Sequence, residues 1–87
     1  MIVKLKDGFE VELLEESLDD WDLMEDFYDI DEGNHGKIVG VARKLFGTEG
    51  VKKLKEHLKD ANGKVTGTAM AMAIQEIFDA ANELKNS

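Results

Sequence analysis

The chain has 87 residues, no cysteine or proline, and a net charge of −8 from 11 basic and 19 acidic residues. Without cysteine, disulfides, zinc–thiolate sites and thiol catalysis are excluded, so stability must come from packing. The surplus of acid excludes general binding to nucleic acid or anionic membranes, which needs Lys and Arg on the contact face.

Residues 1–13, MIVKLKDGFEVEL, predict a β-hairpin turning at Asp7-Gly8. A three-residue loop, Lys6-Asp7-Gly8 with Gly8 left-handed, pairs Leu5 with Phe9 and Val3 with Val11. Those residues and Leu13 then share one face, with Lys4 opposite Glu10 on the other. An isolated hairpin is marginal in water, so it is expected to pack on the C-terminal helix; edge-to-edge pairing between subunits is the alternative.

A first helix is expected over residues 17–30, with Ser17 as N-cap and Leu18, Trp21, Met24, Phe27 and Tyr28 buried. Its outer side carries Asp22, Glu25, Asp26 and Asp29, which form like-charge pairs at i,i+4. Such crowding suggests something positive opposite, although a solvated acidic face would also suffice. A polar loop leads to a second helix over 37–46, with Ile38, Val41, Ala42 and Leu45 inward and Gly47 ending it. Gly40 is expected to permit a close helix contact.

Thr48 then caps a third helix over 49–59, with Val51, Leu54 and Leu58 inward. Lys52, Lys53, Lys55 and Lys59 project outward as the candidate partners of the acidic face, within one subunit or across an interface. The last helix, 66–85, is capped by Thr66 and presents Met70, Ile74, Ile77, Ala81 and Leu84 as an apolar seam widened by Ala73 and Phe78. Met72 falls off that seam and is expected to be exposed, where methionine suits an adaptable binding surface. The expected fold is thus α+β and mostly helical: an N-terminal β-hairpin followed by four helices in a single domain, 1–87.

The charge is polarised along the chain. Residues 1–32 hold 13 acids against Lys4 and Lys6, whereas residues 33–64 hold 3 acids against 8 bases. No apolar run approaches the roughly 18–20 residues of a membrane span, and Met-Ile-Val-Lys is too short for a signal peptide core, so a cytoplasmic protein is expected.

Motifs for chemistry are sparse. The stretch from Asp60 through Asn62 and Gly63 imitates part of a calcium loop, but Leu58 and Ala69 stand where its first and last ligands belong. Glu16-Ser17-Leu18 is similar to the modified serine site of acyl carrier proteins, yet Ser17 follows only a hairpin, and a capping serine explains it. His35 and His57 have no second ligand at metal spacing, and nothing concave is expected beside the carboxylates. No enzyme activity, cofactor or metal is expected.

Taken in order, Leu18-Asp19-Asp20-Trp21 opening an acidic helix, Leu45-Phe46-Gly47, Leu54-Lys-Glu-His57-Leu58, Gly63-Lys-Val65 and Ile74-Gln-Glu76-Ile77 resemble the tail assembly chaperones of siphophages and prophages of Gram-positive bacteria. The resemblance covers nearly the whole chain. It implies a non-enzymatic, self-associating protein of the host cytoplasm that binds the long helical tape measure protein, prevents its aggregation and helps to recruit tail tube subunits. Such genes often yield a longer product by a −1 frameshift, and Leu84-Lys85-Asn86 can be encoded by a slippery heptamer. The surfaces expected to meet the client are the acidic face, Asp22, Glu25, Asp26 and Asp29, together with Met72 and the hairpin edge. The alternative is an acidic interaction module or a DNA mimic that sets carboxylates where phosphates would be.

Overall fold

A computed structural model describes residues 1–86. The chain forms strands β1 (Ile2–Lys4) and β2 (Glu10–Glu12), a 3-10 turn (Glu15–Asp19), and the helices α1 (Trp21–Asp31), α2 (Lys37–Leu58) and α3 (Gly67–Asn86). It is mostly helical with an N-terminal hairpin, but three α-helices are present among the described residues where four were expected. The expected helices over 37–46 and 49–59 form one element, bent where Gly47 leaves helical geometry at φ 70° and ψ 173°.

The hairpin has the expected register: Ile2 faces Glu12, Val3 faces Val11 and Lys4 faces Glu10. The Leu5 N–H donates to the Phe9 carbonyl at 2.8 Å, and Gly8 takes a positive φ of 94° in the loop. Val3, Leu5, Val11 and Leu13 are buried on the inner face, with Phe9 partly so. The hairpin lies across two helices, β1 against α3 and β2 against α2. This burial of one face is what lets so short a ribbon persist.

Gly47 also explains the connection that follows β2. A bend there removes the amide partners of the preceding helical carbonyls, which must be satisfied elsewhere. The Leu14 N–H donates to the Leu45 carbonyl at 2.9 Å and the Ser17 hydroxyl donates to the Lys44 carbonyl at 2.9 Å. Ser17 is therefore a strap onto α2 and not the expected N-cap. Asp20 takes that role, in extended backbone, its carboxylate accepting from the Asp22 N–H at 3.0 Å.

The shifted start corrects the expected first helix of residues 17–30. Leu18 is buried from the 3-10 turn, but the extended Asp20 separates its phase from that of α1. The inward seam of α1 is Leu23, Phe27 and Ile30, at spacings of four and three. Trp21, Met24 and Tyr28, expected in the core, are 72%, 48% and 64% exposed.

In α3, Thr66 accepts from the Ala69 N–H at 3.0 Å as the expected cap. Ala73, Ile74, Ile77 and Ala81 are buried, and Met70 and Phe78 pack partly against the core. The Phe78 ring meets Phe27 of α1 at 4.6 Å between centroids. Leu84, expected in the seam, is more than half exposed, at the rim of a groove beside Ile2, Lys4 and Ala80.

The close approach in α2 is at Gly50 and not at the expected Gly40. A Cβ on Gly50 would lie 2.6 Å from the Phe46 Cβ, whereas one on Gly40 would meet nothing within 4 Å. Gly50→Ala is therefore expected to cost about 1–3 kcal/mol through overpacking. Gly40→Ala is expected to stabilise by about 1 kcal/mol through helix propensity. Urea unfolding of the two variants measures both signs, and equal effects at the two glycines would contradict this packing.

Candidate interaction surface

The acidic side of α1 divides into two parts. Asp26 and Asp29 turn toward the N-terminal half of α2: Asp26 Oδ1 lies 3.7 Å from Lys37 Nζ, and Asp26 Oδ2 lies 3.2 Å from Lys44 Nζ. Lys37 also donates to Asp29. That hydrogen bond, followed by the charges of Asp29 and Asp26, raises the Lys37 pKa above its ordinary value. The Asp22 and Glu25 side chains remain exposed, with no ion pair or hydrogen bond among the described residues.

Within one subunit these pairs take the place of the expected partnership with the lysine-rich stretch of residues 49–59. Lys59, just past the end of α2, pairs with Glu56 of that helix at 2.7 Å, and Lys52, Lys53 and Lys55 have no ion pair among the described residues. The positive groups facing α1 are instead Lys37 and Lys44, each on the half of α2 that packs beside it.

The feature missed in the sequence is the other outer face of α1. Trp21, Met24 and Tyr28 follow one another at spacings of three and four, so they form a continuous apolar strip on a solvent-facing helix side. Glu25 and Asp22 border it toward the acidic side, and the exposed Asp31 stands one turn past Tyr28 at its C-terminal end. Two apolar seams coexist in the sequence of α1, and Asp19-Asp20 just before Trp21 was the available signal that the helix starts late.

Met72 is 69% exposed, as expected. It lines an apolar groove with Ile30 of α1, His35 and Ile38, and none of the α1 carboxylates is part of that lining. At the hairpin, Met1, Val3 and Leu5 bond across to β2, which leaves the N–H and C=O groups of Ile2 and Lys4 pointing outward at an open edge.

Asp60 and His57 are engaged structurally. Asp60 Oδ1 accepts from the Asn62 and Lys64 N–H groups, so the calcium-like stretch is a self-satisfied turn. No group of three or more His, Asp or Glu side chains is placed to hold a metal ion among the described residues. No helix there is long and apolar enough to cross a membrane. His57 stacks on Phe9 at 4.1 Å between ring centroids, and its Nε2 lies 2.7 Å from Asp7 Oδ2. Comparison of the chain with protein-family models, curated proteins and solved structures found no match.

The Asp7 contact has a pH consequence. The Phe9 N–H, then the hydrogen bond with His57, hold the Asp7 carboxyl below its ordinary value of 3.8. Because folding lowers this pKa, the stabilisation is complete above 3.8 and is lost as pH falls through the lowered value. Asp7→Asn is expected to be less stable than the parent at about pH 7 and to lose less stability on moving to about pH 3. Urea unfolding at both pH values checks this, and parallel losses in the two proteins would contradict it.

Proposed function

We propose that the protein is a non-catalytic chaperone of the phage tail assembly kind, binding a tape measure protein in the host cytoplasm and keeping it from aggregating until tail tube subunits are recruited. The observation that carries this reading is the strip of Trp21, Met24 and Tyr28 held out of the core on one side of α1. Large aromatic residues and methionine are the side chains that anchor helical partners, because they bury much area with few rotatable bonds or adapt to irregular surfaces. A tape measure chain offers long amphipathic helices whose apolar stripes need covering, and a helix laid along such a strip covers them. Met72 and its groove supply a second contact, and the open edge at Ile2 and Lys4 is a place for self-association.

The DNA-mimic alternative is less well supported. A row of phosphate-like carboxylates needs its charges free, and Asp26 and Asp29 are engaged by Lys37 and Lys44. An aromatic strip has no counterpart on a duplex backbone.

Trp21→Ala combined with Tyr28→Ala tests the reading, since both side chains are exposed and their removal leaves the core intact. Each truncation is expected to cost about 2 kcal/mol of binding, or roughly 30-fold in affinity. In co-expression with the tape measure protein of the same genome, the parent is expected to keep that protein soluble and the double variant to leave it in the pellet. A double variant that folds and solubilises the client as well as the parent would refute the role of α1.

A further inference from the structure

We propose that the α1 face takes a cationic amphipathic helix, one with an apolar ridge bordered by Lys or Arg. This rests on α1 being the client-binding surface, and it names the chemistry of the client. On a helical wheel, Met24, Tyr28 and Trp21 occupy one sector. Glu25 lies about 40° and Asp22 about 100° beyond Trp21, while Asp31 lies about 20° beyond Met24. With a rise of about 1.5 Å per residue, Glu25 and Asp22 run beside the strip while Asp31 stands one turn past Tyr28 at its C-terminal end, and none of the three is neutralised by a cation among the described residues. The remaining acids of the helix, Asp26 and Asp29, already hold Lys37 and Lys44 and fix the helix to its own subunit.

Such a rim selects by charge. Cations on the partner gain the carboxylates of Glu25 and Asp22 along one flank and of Asp31 at the end, and can stack on the Trp21 or Tyr28 rings, whereas an anionic helix meets like charge there. The same rim argues against a second copy. A symmetric dimer through α1 would set Asp22, Glu25 and Asp31 against themselves. The basic stretch of another copy, with Lys52, Lys53 and Lys55, could match the charge but not the strip, because no large apolar residue between positions 44 and 71 is exposed.

Trp21 is the protein's single tryptophan, so its fluorescence reports on the site directly. The probes are a tryptophan-free amphipathic helical peptide of Leu, Ala and Lys, about 18 residues long, and its counterpart with Glu in place of Lys. The Lys peptide is expected to shift Trp21 emission to the blue with an affinity that falls as salt rises, and the Glu peptide to leave it unchanged. Asp22→Asn with Glu25→Gln is expected to weaken Lys-peptide binding about tenfold and to flatten the salt dependence. Glu49→Gln with Glu83→Gln, the same change in net charge away from α1, is expected to leave affinity unaltered.

Equal binding of the two peptides would overturn the inference, as would equal weakening by the two pairs of substitutions. A blue shift that grows with protein concentration in the absence of peptide would overturn it in favour of a second copy. A tape measure protein that stays insoluble beside a chain that still selects the Lys peptide would remove the client named above and support the charge-selective site. Soluble tape measure protein beside charge-blind peptide binding would do the reverse.

Discussion

The rotational phase of α1 is the constraint on which the outward character of this protein depends. Leu23 is fully buried, and Asp26 reaches Lys37 and Lys44 from the adjoining flank of the same helix. Those contacts meet only when one side of α1 faces inward, and that choice sends Trp21, Met24 and Tyr28 outward. Burying the alternative seam would place the larger side chains in the core but expose Leu23 and draw the carboxylates away from their lysines. Burial of a leucine contributes about 1.5–3 kcal/mol, and the ion pairs add orientation more than energy because their lysines remain partly solvent-accessible. The apolar contact sets the preference and the charges fix the register.

The bend at Gly47 makes that arrangement possible. The N-terminal half of α2 buries Val41, Ala42, Leu45 and Phe46 and carries the lysines that meet α1. The half beyond the bend buries Leu54, and its His57 stacks on Phe9 and meets Asp7 at the hairpin loop. One helix thereby supports both the candidate binding element and the hairpin. Carbonyls freed just before the bend are taken up by Leu14 and Ser17, which ties the segment leading into α1 to the same place. The start of α1, and hence its phase, is set by this strap and by the Asp20 cap.

Much of the architecture was legible in the sequence where local rules act alone. The hairpin register follows from which loop puts five apolar residues on one face, and α3 follows from its seam and Thr66 cap. Exposure of Met72 also follows from its place off that seam. The phase of α1 was not legible, because Trp21-Met24-Tyr28 and Leu23-Phe27-Ile30 are both acceptable seams, and size favours the one that tertiary packing rejects. Four expected site carboxylates became two inward clamps and two outward rim charges, a division that depends on where Lys37 and Lys44 lie. The proposed function rests on the resemblance and on this surface.

A surface of this kind joins adaptable apolar contact to charge selection. The aromatic strip can accept many helices, while unpaired carboxylates on its borders restrict which ones stay. Acrylamide quenching of the single tryptophan in the free protein is the most direct test, because the α1 binding face requires Trp21 to stand in solvent. Emission typical of an exposed indole, with ready quenching, is the result expected from the observed phase of α1. A blue-shifted, protected indole at high dilution would contradict that phase and remove the binding face with it.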